Sequence, residues 1–347
     1  MDTKTRVDRL HQSSNVVDAH SDYPVHMLLE KRQGHPGVFQ TEHLPKLRAA
    51  GICLETVTIG GDFELGDLDL RSPFVTLAIL DCAHEQIKVC AENVLLIQSA
   101  SDLNMIRNSQ VIGVMFALEG AAPVSPDLSL LRTYYRLGVR SLMLTHNERN
   151  GFADGCGESA CGGLSNLGRD LVREINRLHM ILDLSHSNER TFYDALEVFS
   201  GTPIASHSNA RSLCDHVRNL TDNQIKAIAG RSGVVGMNFL ARFVDSDPAK
   251  TTPDRLVDHI AYVANLVGID YVGLGPDYAD YYMDELNEWA HNHNLPVMQY
   301  TAGLESVAQL PLLTETLIKR GFADSDIQKI LGENFLRAYA ANLALVA

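Results

Sequence analysis

The amino-acid sequence predicts an α/β fold, a (β/α)8 barrel of the TIM type with a C-terminal helical extension, on three observations. Eight short, almost continuously apolar runs alternate with helical patterns. Such runs suit strands buried on both faces, as in a parallel sheet. Polar or ionisable residues sit at the C-terminal ends of runs one, three, four, five, six and eight. In a closed barrel those ends converge on one point, whereas in an open doubly wound sheet, the alternative, they spread along an edge. The 347 residues contain no tandem repeat, no linker and no Gly-rich phosphate fingerprint, so 1–347 reads as a single domain.

The chain is 45% hydrophobic and 21% charged, with a formal net charge of -14. That composition supports a sizeable core and argues against disorder. An acidic chain without a Lys/Arg cluster is a poor binder of nucleic acid or anionic membranes. Met1–Leu10 is polar and charged, without the apolar core of a signal peptide, and no apolar run is long enough to span a bilayer. The expectation is a soluble, cytoplasmic protein with no nucleic-acid or membrane partner. Of six cysteines, Cys53, Cys82, Cys90 and Cys214 lie in apolar or helical context and read as buried thiols. Cys156 and Cys161 lie in a Gly-rich loop. A local disulfide there is disfavoured in a reducing cytosol, so free thiols are expected.

The elements follow in order. The run Val16–Ala19 is the first strand and ends in His20-Ser21-Asp22. A polar loop is expected from there to Gln40, then a short helix over 42–50. Gly51–Gly60 is β-branched and reads as the second strand. Pro73 opens a helix to about Asn93, and another covers 100–107. Val111–Leu118 is the third strand, ending in Glu119-Gly120. Asp127 or Ser129 caps a helix that Gly138 closes. Val139–Leu144 ends in Thr145-His146-Asn147. After a Gly-rich loop, a helix over 169–179 leads to Met180–Leu184, which ends in Ser185-His186. A helix over 189–199 leads to Thr202–Ala205, which ends in Ser206-His207-Ser208. Thr221-Asp222 starts a helix to Gly230. Gly233–Phe239 is the seventh strand, with no ionisable residue at its end. Pro253 opens a helix to Gly268. Tyr271–Gly275 ends in Pro276-Asp277, and Gly303–Ala347 reads as helical throughout.

His20 and Asp22 project to one side of a strand end, and an imidazole with a carboxylate two residues away is half of a zinc site. The plain alternative is a strand whose polar tail turns into a loop. Glu119 follows eight apolar residues, where an unpaired charge is costly. His186 and His207, taken singly, read equally well as core or helix-capping histidines. Together, His20, Asp22, Glu119, His186 and His207 supply the hard and borderline donors that suit zinc. Five ligands exceed one tetrahedral site, but with a bridging carboxylate they suit two metals with open positions for water. Some two-metal barrels bridge with a carbamylated lysine. This chain has no lysine between Lys88 and Lys226, and Glu119 is the only acidic residue ending the third strand.

At this point the sequence resembles the membrane-dipeptidase (renal dipeptidase) family of zinc peptidases, among the amidohydrolase-type barrels. The matching stretches are Asp18-Ala19-His20-Ser21-Asp22, Leu118-Glu119-Gly120, Leu144-Thr145-His146-Asn147, Asp183-Leu184-Ser185-His186, Ser206-His207-Ser208, Val217-Arg218-Asn219, Gly273-Leu274-Gly275-Pro276-Asp277 and Leu331-Gly332-Glu333-Asn334-Phe335-Leu336-Arg337. They span nearly the whole chain, in order. The resemblance implies two Zn2+ ions. His20, Asp22 and Glu119 would hold one, and Glu119, His186 and His207 the other, with a hydroxide bridging them. It implies that His146 contacts the scissile carbonyl and steadies its oxyanion. Arg218 would grip the substrate's C-terminal carboxylate. Asp277 would shuttle the proton from the hydroxide to the leaving amine. A homodimer is implied as well.

Three departures stand out. The family's usual Gly-Gly-Asp-Phe-Asp-Gly is here Gly275-Pro276-Asp277-Tyr278-Ala279-Asp280, which leaves the side-chain preference open. The second Gly of Glu-Gly-Gly is Ala121. The signal and lipid anchor of the family's secreted members are not seen. The expected function is a zinc dipeptidase acting on dipeptides with a free C-terminal carboxylate. The alternatives are a di-zinc amidohydrolase acting on another carboxylate-bearing amide, such as an N-acyl amino acid or a lactam, and a barrel that binds without turnover.

Overall fold

The computed structural model describes residues 2–107, 109–292 and 297–343. Eight parallel strands form the central sheet: β1 (Val16–Ser21), β2 (Ile52–Gly61), β3 (Ile112–Glu119), β4 (Val139–Met143), β5 (Ile181–Asp183), β6 (Ile204–Ala205), β7 (Val234–Met237) and β8 (Val272–Leu274). Each pairs with the next in chain order. The circle closes where Asp277 N donates to His20 O (3.3 Å) and Asp22 N donates to Tyr278 O (3.2 Å), joining β1 to the segment after β8. This is the barrel expected from the apolar runs. An extra short strand, Val94–Leu96, pairs with the start of β3.

Local chemistry explains most helix starts. Ser165, Asn188, Thr221 and Thr252 each accept a hydrogen bond from a backbone N–H of the turn they cap, and Pro73 and Pro253 occupy first turns. Two expectations need correction. The segment after Asp22, read as a polar loop to Gln40, is a helix over Tyr23–Arg32. Its residues Tyr23 to Leu28 are all buried, so it has no apolar stripe against a polar face and no helical periodicity to read. The tail is not one continuous helical run. Helix Leu310–Lys319 is separated by a turn at Gly321, whose φ of 85° suits glycine, from helix Asp324–Gln328, which runs on through a π-helical turn, Lys329–Glu333, into Asn334–Leu343. The expected helix at 344–347 lies outside the described residues.

A large apolar cluster lies between strands and helices. A second cluster takes Val17, Ala19, Leu54, Met115, Ile181 and Val234 from the strands and Phe335, Leu336 and Tyr339 from the last helix. That helix therefore seals the N-terminal end of the barrel, and Tyr339 OH sits 3.2 Å from Thr56 Oγ1. The opposite end, where β1 to β8 finish, is left to polar side chains. No helix among the described residues is long and apolar enough to cross a membrane.

Two glycines let the strand ends approach. A Cβ on Gly236 or on Gly275 would collide with the carbonyl of Ser206, the residue before His207. Gly37 by contrast has open space around it. Gly275→Ala is expected to lower stability by about 1–3 kcal/mol, the usual range for overpacking. Gly37→Ala is expected to be near neutral. Urea unfolding of the two variants beside the parent checks the difference, and equal midpoints would show that the close approach carries no strain.

Candidate metal centre

Glu119 is the last residue of β3 and its side chain is buried. One of its oxygens, Oε1, gathers imidazoles from four other strand ends. His186 Nε2 is 3.0 Å away, His20 Nε2 3.4 Å, His207 Nε2 3.6 Å and His146 Nε2 3.9 Å. His20 and His207 stack with ring centroids 4.0 Å apart. Asp22 Oδ1 and Asp277 Oδ1 each lie 3.7 Å from His20 Nε2. All five sequence-predicted ligands therefore meet at one point, together with His146 and Asp277. Their donor atoms fall into three overlapping sets, each within 4.8 Å: His20, Glu119 and His207; Glu119, His146 and His186; His20, Asp22 and Asp277.

The hydrogen bonds around the cluster say which lone pairs are free. His186 Nδ1 lies 2.9 Å from the Asn147 amide oxygen, which only accepts, so Nδ1 carries the proton and Nε2 is bare. His207 Nδ1 is 2.7 Å from Ser206 Oγ. The two Nε2 atoms of His186 and His207 then face each other at 2.9 Å. Both ring nitrogens of His20 and Asp22 Oδ1 are buried without a hydrogen-bond partner. Buried polar atoms are rarely left so, because the desolvation is not repaid. A cation among them removes the penalty, and imidazole nitrogens with carboxylate oxygens are the donors zinc takes. The residues fit a metal.

The electrostatics agree. Burial raises the Asp22 carboxyl well above its ordinary range, and the Glu119 charge adds to it. Burial opposes ionisation of Glu119 too, but His20 and His186 outweigh it and hold the group well below the usual range. Burial pushes His186 and His207 far down, so both are neutral and available as ligands.

His186 (φ 64°) and Asp277 (φ 67°) adopt the left-handed conformation. Each is held by its neighbours: Cys156 N donates to His186 O (2.7 Å), and Tyr300 OH donates to Asp277 O (2.7 Å). Asn238 Nδ2 donates to Asp277 Oδ2 at 2.8 Å and leaves Oδ1 turned to the cluster. Arg218 is buried. Its Nη2 donates to His207 O (3.0 Å), while Nη1 is buried without a partner. The guanidinium lines a cavity mouth with Cys156, Cys161 and Arg211. Asp280, in the stretch that departs from the family pattern, points away to Lys46 (3.5 Å). All six cysteines are free thiols, as expected, with Cys161 exposed.

Several supporting residues escaped the sequence reading. Asp62 accepts from Ala122 N (2.6 Å), Asn150 Nδ2 (2.6 Å) and His146 N (3.4 Å), which places His146. Burial pushes its carboxyl up to about 6. Asp62 directly follows β2, so the rule of polar strand ends extends to that strand once its end is set at Gly61 rather than Gly60. Asn238 follows β7 and is polar without being ionisable. Asn147, Ser206 and Tyr300 carry no signal beyond adjacency to a histidine or their type.

Comparison with known proteins follows the same line. A profile of the family described as Membrane dipeptidase (Peptidase family M19) matches residues 4–344. The chain is 32% identical to dipeptidase tcpJ of Claviceps purpurea over 264 residues, which is 76% of this chain and 58% of that protein. It is 32% identical over 346 residues to an uncharacterized dipeptidase of Schizosaccharomyces pombe, covering 93% of this chain and 80% of the other. The probable dipeptidase PvdM of Pseudomonas aeruginosa shares the fold with a TM-score of 0.84 at 21% identity, over 99% of this chain and 98% of that one. A metallo peptidase of Rhodobacter sphaeroides, solved with a phosphinate mimic of L-Ala-D-Ala, gives 0.80 at 23% identity, over 95% and 99%. With the profile running through every strand of the barrel and every residue of the cluster, the chain belongs to the membrane dipeptidase family of peptidases.

Proposed function

We propose that the chain is a di-zinc dipeptidase that hydrolyses the peptide bond of dipeptides with a free C-terminal carboxylate. The observation that carries this reading is the Glu119 carboxylate set among the Nε2 atoms of His20, His186 and His207, with the orphaned Arg218 Nη1 nearby. The dipeptidase names of its relatives and the dipeptide mimic bound by a structural neighbour point the same way.

His20, Asp22 and Glu119 would hold one ion, and Glu119, His186 and His207 the other. When bound, the ions polarise the scissile carbonyl and bring the pKa of attacking water toward neutrality. The remaining work belongs to side chains. Arg218 offers its free Nη1 to the substrate carboxylate and, through its bond to His207 O, ties that grip to a ligand-bearing strand end. His146, placed by Asp62 and leaning on Phe63 (centroids 5.1 Å), steadies the developing oxyanion. Asp277 takes the proton of the attacking water on Oδ1 and returns it to the leaving amine, while Asn238 keeps Oδ2 occupied.

Three outcomes are expected. Metal-replete protein should carry two zinc ions per chain by elemental analysis, and Glu119→Gln should lose most of the bound metal and activity. One ion or none in the parent would end the two-metal reading. Arg218→Met should raise KM for dipeptides, and cost on the order of 2–5 kcal/mol in kcat/KM, as for loss of a buried charged partner. A C-terminally amidated dipeptide should already be poor for the parent. If it is cleaved as well as the acid, Arg218 is no clamp and the amidohydrolase alternative gains. Asp277→Asn should keep two zinc ions and lose roughly 10²–10⁴-fold in kcat, the range for positioned acid–base catalysis. A loss within a few-fold would place the proton shuttle elsewhere, and loss of zinc would make Asp277 a ligand.

A further inference from the structure

Beside the metal cluster, one cation has no assigned partner. Arg242 lies in the short helix Ala241–Val244 that follows β7, and its side chain is exposed. Among the described residues its guanidinium makes no ion pair and no hydrogen bond. It is nevertheless positioned. Its Cζ sits 4.8 Å from the centroid of the Phe243 ring, and Arg218 Cζ sits 5.5 Å from the same centroid. Two guanidinium carbons at those distances from one point are at most about 10 Å apart, about one Debye length at 0.1 M salt. Two arginines therefore share one buried phenyl ring, one inside the site and one at its rim.

The shared Phe243 ring places Arg242 beside Arg218, which lines the mouth. Asp277 and Arg218 both lie within electrostatic reach of the Arg242 guanidinium. The same guanidinium acts on Cys156, which lines the mouth, and on His216, which is driven down to about 4 by burial first and then by Arg242, Arg218 and Arg211. Arg211 is neutralised by Asp215 at 2.8 Å. Glu158 and Glu189 also line the mouth but make no ion pair with Arg242. Asp277 has one oxygen bound by Asn238 and the other turned to His20, so it is not Arg242's ion-pair partner. In a chain of net charge -14, a rim with an unpaired guanidinium beside a second, half-paired one is an unfilled anion position.

We propose that Arg242 is a specificity-determining residue that receives a side-chain carboxylate, so that the preferred substrates are dipeptides whose second residue is aspartate or glutamate. The inference rests on the dipeptidase reading above. Such a residue carries two carboxylates separated by one or two methylenes. Arg218 takes the α-carboxylate inside and Arg242 the side-chain carboxylate at the rim, with the apolar stem against Phe243. The amide isosteres asparagine and glutamine fill the same volume without the charge. They are the natural control.

The test compares kcat/KM of zinc-loaded enzyme for Ala-Asp against Ala-Asn and Ala-Glu against Ala-Gln, with the second residue in both hands, and for Ala-Ala. The parent should favour the acid over its amide by about tenfold or more in one pair at least, the scale of one charged contact. In Arg242→Gln that ratio should fall to about one, and in Arg242→Glu it should invert, with Ala-Lys overtaking Ala-Asp. Free aspartate should inhibit the parent more than asparagine does, and lose that advantage in both variants. A parent that cleaves Ala-Ala but treats acid and amide alike overturns this proposal and leaves the dipeptidase reading standing. A strong acid preference that survives in Arg242→Gln moves the anion position to another residue and overturns the assignment. A parent that cleaves none of these peptides overturns both readings together.

Discussion

A single buried carboxylate oxygen organises this protein. Glu119 Oε1 lies within 3.6 Å of three imidazole nitrogens that come from β1, β5 and β6, and it does so at the end of an eight-residue strand with no exposed position. An isolated charge there would be costly. It is retained because opposite charge is supplied at the same point. Without a metal, that role falls to a proton on His20: burial resists it, but Glu119 and the two nearby aspartates raise the imidazole to about 10. Protons and metal ions thus compete for the same lone pairs, and the site is built to hold positive charge in one form or the other.

Around that oxygen, a second tier of neutral groups orients His186, His207 and Asp277. Asn147 sets the tautomer of His186, Ser206 contacts His207, Asn238 holds one oxygen of Asp277, and Tyr300 bridges Asp277 O and Ala279 N. The left-handed backbone at His186 and Asp277 costs on the order of 1–2 kcal/mol each for an ordinary L-residue, and it persists because those bonds over-determine it. Rigidity at the strand ends contrasts with the rim, where Cys161 and Arg242 are exposed.

What was legible in the sequence follows from the same physics. Parallel strands buried on both faces leave little but apolar letters, so a His or Glu at a run's end stands out, and His20, Asp22, Glu119, His186 and His207 were all visible that way. The helix Tyr23–Arg32 was not, because burying six consecutive residues erases the stripe that marks a surface helix. Asp62 was hidden by a strand boundary misplaced by one residue. Asn238 and Tyr300 were hidden because orienting groups need only a donor or acceptor, and many residue types offer one. Arg242 became notable only when the structure brought it and Arg218 to one phenyl ring from positions 24 residues apart in the chain.

The seam of the barrel has a consequence for how the chain is made. Among the described residues, β1 gains its second neighbour through Tyr278 and Asp277, the residues that follow the last strand, and those contacts are made by His20 and Asp22 themselves. A chain emerging N-terminus first carries both residues unanchored on one side until the last strand arrives. The cluster is thus completed at the moment the sheet becomes a cylinder, and its assembly is the same event as topological closure.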